Sequence, residues 1–182
     1  MNKERIIDGL IKRSIDLASE ISPLFQDRRE AGEQLAQKLF YNNYPNPVLI
    51  TIPNGGIPIA LPIQDKLEIP LHLAFAAKVP FSKDKRFGIG AIESDAILLN
   101  KDMIDTFDLN ENIIKKGIEH ASNVIKEKMM QLQNYTFPLS DLQNKTAIIV
   151  DDGISTAYTA LAVIQSLRAR QAERIVVAAP VA

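Results

Sequence analysis

The sequence predicts an α/β fold in which a mainly parallel, twisted sheet is flanked by helices. Short, apolar, β-branched runs recur along the chain, and segments whose apolar residues have helical spacing separate them. The chain has 182 residues, of which 46% are hydrophobic, so it can bury one sizeable core. We therefore expect one α/β domain at residues 23–182, preceded by an added N-terminal helical extension at residues 1–22.

Two helices are predicted before the first strand. Apolar residues between Ile6 and Ile21 recur every three or four positions, which predicts an amphipathic helix that ends at Ser22-Pro23. We expect its apolar stripe to pack on the core; capping an incomplete site and pairing with a second subunit in a homodimer are the alternatives. The second helix is predicted at residues 27–40, with Asp27 placed either to cap it or to complement its N-terminal dipole.

The rest of the chain alternates strands with helices. The predicted strands are 48–52, 71–76, 87–93, 97–99, 145–150 and 174–179, and the predicted helices are 57–67, 110–133 and 156–168. Residues 80–86 hold three basic side chains and no large aliphatic one, which predicts an exposed, mobile loop. Because a parallel sheet binds ligands at the carboxyl ends of its strands, a site is expected after Ile52 and Val150.

Composition excludes several classes of function. Lys and Arg number 21 against 22 Asp and Glu, so no general attraction draws the chain to nucleic acid or to an anionic membrane. The absence of cysteine excludes disulfides, thiolate metal sites and a cysteine nucleophile. His72 and His120 have no partner at metal-ligand spacing and are interpreted as structural. No segment is typical of a signal peptide or a membrane span, and we expect a cytoplasmic protein.

The segment 148–159 carries the strongest chemical signal. It runs from an apolar strand through two acids into a small, hydroxylated helix start. Backbone N–H groups of this turn, together with the hydroxyls of Ser155, Thr156 and Thr159, can surround a phosphate. Because Asp151 and Asp152 would repel a phosphate, they should face neutral donors such as vicinal sugar hydroxyls. A ribose 5-phosphate would suit both the acids and the phosphate-binding turn. The alternative is that the acids only cap a helix.

The same segment resembles the phosphoribosyl pyrophosphate signature of type I phosphoribosyltransferases, an apolar strand followed by Asp-Asp-Gly-x-Ala-Thr-Gly-x-Thr. Three further blocks resemble a branch of predicted phosphoribosyltransferases: Phe25, Asp27, Arg28, Ala31, Gly32, Leu35 and Ala36; Pro53-Asn54-Gly55-Gly56-Ile57-Pro58-Ile59-Ala60; and Phe87-Gly88-Ile89-Gly90-Ala91. The resemblance extends from Phe25 to the end of the chain and implies a type I phosphoribosyltransferase-like sheet.

This resemblance also implies a set of site residues. It assigns the ribose 2- and 3-hydroxyls to Asp151 and Asp152, which with Lys78, a candidate partner of the pyrophosphate, form the catalytic set. The 5-phosphate is assigned to Gly153, Ser155, Thr156, Ala157, Tyr158 and Thr159, the leaving pyrophosphate to Asn54, Gly55 and Gly56, and a flexible covering loop to Lys83, Lys85 and Arg86. A plain tight turn is the alternative for the paired glycines, and a solvated charged loop is the alternative for the basic stretch. Mg²⁺ would arrive on the substrate diphosphate, with no metal ligand supplied directly by the protein.

The implied activity is transfer of phosphoribose from phosphoribosyl pyrophosphate to a nitrogenous base, with release of pyrophosphate. The chain departs from the family pattern at three positions: Ala157 replaces a glycine, and Asn54 and Ala77 replace arginines that the branch commonly carries. The missing charges favour one alternative, a non-catalytic module that senses phosphoribosyl pyrophosphate or a nucleotide. A purely structural or interaction subunit is the third hypothesis.

Overall fold

The computed structural model describes residues 24–81, 88–93, 96–133, 142–154 and 157–181. Its strands are β1 (Pro47–Thr51), β2 (Leu71–Leu73), β3 (Ala76–Pro80), β4 (Gly88–Glu93), β5 (Ala96–Leu99), β6 (Thr146–Val150) and β7 (Arg174–Ala178). Its helices are α1 (Arg28–Phe40), α2 (Ile57–Leu67), α3 (Lys101–Thr106), α4 (Glu111–Gln131) and α5 (Tyr158–Ala169). The predicted helix of residues 1–22 lies outside this part of the chain, so its homodimer alternative stays a prediction.

A four-stranded parallel sheet, in the order β2-β1-β6-β7, forms the centre of the fold. This sheet, flanked by helices, confirms the predicted fold class. In its register Thr51 at the end of β1 pairs with Val150 at the end of β6. The loops that follow these two strands therefore leave the sheet side by side.

The two central strands are apolar throughout because both faces of the sheet are covered. Alternate residues of β1 and β6 point to opposite faces. Leu49 and Ile148 pack with α1 and α2, whereas Ile50 and Ile149 pack against α5, and all four side chains are fully buried. Burial of apolar area on two faces fixes the position of both strand ends.

The sequence located most helices well. The α1 helix begins after Asp27, whose side chain accepts a hydrogen bond from the backbone N–H of Glu30 at 2.8 Å, as the N-cap prediction requires. The α2 helix has the predicted bounds and holds Pro62 in its interior. The short α3 was not predicted; Asn100 caps it by accepting from the N–H of Met103 at 3.0 Å. Within the described ranges, no helix has the length and apolarity to cross a membrane.

The predicted strand at residues 71–76 is wrong as a single strand. β2 ends at Leu73, and the chain then passes into β3 of a second sheet, in which β3, β4 and β5 run antiparallel. Ala74 still donates its N–H to the carbonyl of Thr51 at 2.9 Å, but the Phe75 side chain packs in the core beneath the second sheet and α4. An apolar run indicates that a segment is buried but not which sheet the segment belongs to, and this ambiguity explains the error.

Candidate functional site

The candidate site lies where the loops after β1 and β6 meet. Hydrogen bonds fasten the two strand ends together: the Thr51 hydroxyl donates to the Val150 carbonyl at 3.0 Å, and the Ile52 N–H donates to the same carbonyl at 3.3 Å. The 53–56 loop follows β1, and its Pro53–Asn54 peptide bond is cis. Asp151 and Asp152 follow β6 directly. The site thus joins a glycine-containing loop to a pair of carboxylates.

Asp152 lies between this loop and the first helix. A Cβ atom built on Gly55 would overlap the Asp152 carboxylate, lying 2.6 Å from its carbon. From α1, Arg28 donates to Asp152 Oδ2 through Nη2 at 2.8 Å and through Nε at 3.2 Å. The Asp152 side chain is 35% exposed, so part of it stays accessible to a ligand.

Asp151 is partly buried, and this changes its acidity. Burial is the main cause that raises the pKa of Asp151 to about 6, from an ordinary 3.8. The negative charge of Asp152 adds to the rise, whereas the hydrogen bond from the Asp152 N–H to Asp151 Oδ1 at 2.9 Å and the charge of Lys128 oppose it. At neutral pH Asp151 is therefore mainly ionised. A hydrogen-bond donor would stabilise its charge more than it stabilises the charge of an ordinary, exposed carboxylate.

Lys128 of α4 contacts the other end of the 53–56 loop. Its Nζ donates to the Pro53 carbonyl oxygen at 2.7 Å. Burial lowers the pKa of Lys128, and the charge of Asp151 raises it in part. Perturbed acidities of this kind, in a cleft and with a defined charge partner, are typical of functional sites.

Two connected cavities lie in this region, and Asp151 lines the smaller of them. The smaller, of about 90 Å³, is lined by Lys78, Asp151, Gly153, Ile154, Ala157, Thr159 and Ala160. The larger, of about 290 Å³, is lined by Ile52, Ala76, Ala77, Lys78, Pro80, His120, Val124, Lys128 and Thr159. Lys78 and Thr159 line both, so the concave region continues from the acids to the inner side of α4.

The turn before α5 borders the smaller cavity. Ala157 has φ 58° and ψ −12°, a left-handed conformation that favours glycine, and no side chain caps the helix that follows. The N-terminal N–H groups of α5 therefore have no side-chain partner at the cap position. Tyr158 and Thr159 begin the helix and are partly buried. Ser155 and Thr156, the other predicted phosphate contacts, lie outside the described residues.

Ala157→Gly is expected to stabilise the protein by about 0.5–1 kcal/mol. Glycine removes left-handed strain of about 1–2 kcal/mol, and the greater freedom of the unfolded chain offsets part of this gain. Ala160→Gly, at a buried position of the same helix, is the contrasting variant and should lose about 1–2 kcal/mol, because it removes a buried methyl group as well as helix propensity. Urea denaturation of both variants makes the comparison, and a loss of stability in Ala157→Gly would contradict the strain.

The structure brings many of the predicted site residues together. Asp151, Gly153, Ala157, Thr159 and Lys78 share one cavity, and Gly55 abuts Asp152. Asn54 is exposed at the tip of its loop, and Gly56 is buried beneath it. The candidate loop residues Lys83, Lys85 and Arg86 lie outside the described ranges. The assigned roles of all these residues stay predictions.

Sequence reasoning missed two cations of the site. Arg28 stands in a block quoted for its resemblance, but no role was assigned to it. Lys128 follows His120 and Val124 at four-residue intervals, and this spacing puts all three side chains on one face of α4. That spacing was the available signal, and it also places His120 in the larger cavity. Among the described residues, no group of three or more His, Asp and Glu side chains could hold a metal ion.

Comparisons with known proteins find a related family and a related fold. A family model described as the phosphoribosyl transferase domain matches residues 24–182. A protein of Mycobacterium tuberculosis, named provisionally as a phosphoribosyl transferase and found in two strains, is 33% identical over 161 residues, which make up 87% of this chain and 36% of that protein. The chain thus spans about a third of the length of the curated relatives it matches. A crystal structure from Thermus thermophilus shares the fold, with a TM-score of 0.66 and 22% identity over 85% of this chain and 74% of that chain.

Proposed function

Since the chain belongs to the phosphoribosyl transferase domain family, we propose that it binds phosphoribosyl pyrophosphate and transfers the phosphoribosyl group to a nitrogenous base. In this reaction the bond from the sugar C1 to the pyrophosphate oxygen breaks and its electron pair leaves with pyrophosphate. A bond from C1 to a ring nitrogen forms, and the proton of that nitrogen is released. The family supports a transferase of this class, and the site geometry supports the assignment of individual residues.

One observation carries the proposal: the carboxylate of Asp151, with Asp152 next to it in the chain, borders a small concave cradle at the end of β6. The cradle is lined by Asp151, Gly153, Ala157 and Thr159 and has a volume of about 90 Å³, which is of the size of a phosphate or part of a sugar. Carboxylates accept strong hydrogen bonds from hydroxyl groups. A ribose whose hydroxyls meet the acids would extend its 5-phosphate toward the N-terminus of α5, where the helix dipole favours an anion.

The same charges suit the transition state of the proposed reaction. Departure of pyrophosphate leaves positive charge on the sugar ring, and the carboxylates of Asp151 and Asp152 would stabilise it. The leaving group carries negative charge, so it requires hydrogen-bond donors and cations at the 53–56 loop. Mg²⁺ bound to the diphosphate belongs to the substrate and would offset part of that charge.

A second candidate function is a sensor that binds phosphoribosyl pyrophosphate or a nucleotide without turnover. The observation that favours it is the lack of any charged side chain within the 53–56 loop itself. Ala77, at the wall of the larger cavity, likewise brings no charge where the family branch commonly has arginine.

The test is calorimetric titration of the protein with phosphoribosyl pyrophosphate and Mg²⁺, followed by an assay against a panel of purine and pyrimidine bases. Saturable binding and release of pyrophosphate with at least one base is the expected result. Binding without turnover across the panel would favour the sensor. If no phosphorylated ribose binds, both candidate functions are wrong.

A further inference from the structure

The 53–56 loop has no positive charge of its own, although it is the segment proposed to receive a diphosphate. It consists of proline, asparagine and two glycines. It also lies against a carboxylate, because Gly55 abuts Asp152. Asp151 lies next to it, directly after β6, so a diphosphate at this loop would meet two negative charges. Cations from other elements must offset them.

Arg28 is the first such cation. It contacts the same Asp152 oxygen, Oδ2, that a methyl group on Gly55 would overlap, so its guanidinium lies at the glycine end of the loop. A guanidinium has five N–H donors, and Asp152 receives two of them. The Arg28 side chain is 59% exposed, so its remaining donors can be reached by a ligand. Arginine can therefore position Asp152 and bind a phosphate at once.

Lys128 is the second cation, at the Pro53 end of the loop. Its ammonium group has three N–H donors, and one of them binds the Pro53 carbonyl. The side chain also lines the larger cavity beside Lys78 and Thr159, which places the ammonium group between the loop and that cavity. Burial disfavours the charged form of Lys128 and lowers its pKa. An anion bound here would raise that pKa again, and its own binding would be strengthened by the same interaction.

We propose that Arg28 and Lys128 are the residues that bind the pyrophosphate group, Arg28 at the Gly55 end of the 53–56 loop and Lys128 at its Pro53 end. This inference rests on the proposed function, because it assumes that a diphosphate occupies the loop. The two side chains would supply from α1 and α4 the charge that Asn54 and Ala77 do not. The competing account is that both only fasten the structure, Arg28 to Asp152 and Lys128 to the loop backbone.

The test separates the two halves of the ligand. Inorganic pyrophosphate with Mg²⁺, and ribose 5-phosphate, are titrated separately by calorimetry into the wild-type chain, Arg28→Gln and Lys128→Gln. We expect each substitution to weaken pyrophosphate binding at least about tenfold. Ribose 5-phosphate binding should change by less than about threefold in Lys128→Gln, and in Arg28→Gln, which also removes a partner of Asp152, it should weaken less than pyrophosphate binding does. Lys128→Arg, which keeps the charge and donors, should retain pyrophosphate binding within about threefold.

Two matched controls remove a charge from the same helices. Arg29→Gln removes the neighbouring arginine of α1, which pairs with Glu33 at 3.3 Å, and Lys126→Gln removes an exposed lysine of α4. Both should leave the affinity for pyrophosphate within about twofold of wild type. If a control and its site variant lose pyrophosphate affinity equally, the effect comes from net charge and the inference is overturned.

Other outcomes are equally decisive. Unchanged pyrophosphate affinity in Arg28→Gln and Lys128→Gln, or an equal loss of affinity for both ligands, would overturn the assigned roles while the proposed function stands. If Lys128→Gln does not fold, Arg28→Gln and Lys128→Arg still decide between the two accounts. A wild-type chain that binds neither ligand would overturn the proposed function itself.

Discussion

Asp151→Asn is expected to weaken the binding of phosphoribosyl pyrophosphate roughly tenfold to a hundredfold at pH 7.5 while it raises the melting temperature by a few degrees. Affinity falls because a neutral amide accepts weaker hydrogen bonds from sugar hydroxyls than a carboxylate does. Stability rises because an ionised carboxylate in this half-buried position is unfavourable, as its pKa of about 6 indicates. The substitution is therefore expected to lower ligand affinity and to raise the stability of the fold.

The effect of Asp151 on stability depends on pH in a defined direction. Its pKa is about 6 in the folded chain and 3.8 for an ordinary carboxyl, so the folded state binds the proton more tightly. The resulting stabilisation is fully present below pH 3.8 and is lost as the pH rises through about 6. The melting temperature of the wild type, relative to Asp151→Asn, should therefore fall across that window.

Ligand affinity should change with pH in the opposite sense. Sugar hydroxyls that donate to Asp151 stabilise its ionised form, so the wild type should lose affinity relative to the variant below about pH 6. Comparing the two chains at each pH cancels the titration of the ligand's own phosphates. Asp105→Asn, an exposed acid on α3, is the control and should match the wild type. Equal affinity in Asp151→Asn and wild type at pH 7.5 would contradict the proposed role.

Adjacent glycines of the 53–56 loop should respond to the same substitution in different ways. A methyl group on Gly56 would overlap the Thr51 hydroxyl and lie 2.9 Å from the carbonyl oxygens of Ile52 and Val150. These carbonyls belong to the ends of buried strands and cannot move away easily. Gly56→Ala is therefore expected to destabilise the fold by about 2–3 kcal/mol.

Gly55→Ala should impair the site more than the fold. The atoms that its methyl group would meet all belong to the Asp152 carboxylate, which can rotate away. We expect a stability loss of less than about 1 kcal/mol and a loss of phosphoribosyl pyrophosphate affinity of about tenfold, since Asp152 is displaced. Urea denaturation and calorimetry on the two variants would show this contrast. A Gly55→Ala chain with wild-type affinity would mean that the position of Asp152 has no bearing on binding.

The sequence predicted elements well where one physical cause dominates the pattern. β1 and β6 are covered on both faces, so their runs are apolar without interruption, and α1 begins with a side-chain cap that is visible in the sequence. The boundary between β2 and β3 failed, because Ala74 and Phe75 are buried like strand residues but join one sheet to another. Six-residue α3 is too short for apolar periodicity to identify it.

For the candidate site, the local pattern selected the acids and glycines as candidates but not the cations that lie beside them. Asp151 and Asp152 stand in a contiguous motif. Ala157 stands where the resembling motif has glycine, the residue that its left-handed φ favours. Arg28 reaches Asp152 from 124 positions away, and Lys128 reaches Pro53 from 75 positions away. Such contacts depend on how α1 and α4 pack, which no local pattern records.

The central claim is that the two carboxylates at the end of β6 bind ribose hydroxyls. A crystal structure with ribose 5-phosphate bound tests it most directly. The claim predicts the 2- and 3-hydroxyl oxygens about 2.5–3.0 Å from the carboxylates of Asp151 and Asp152, and the phosphate at the N-terminus of α5. A sugar bound elsewhere, or a phosphate seated against the two acids, would contradict it.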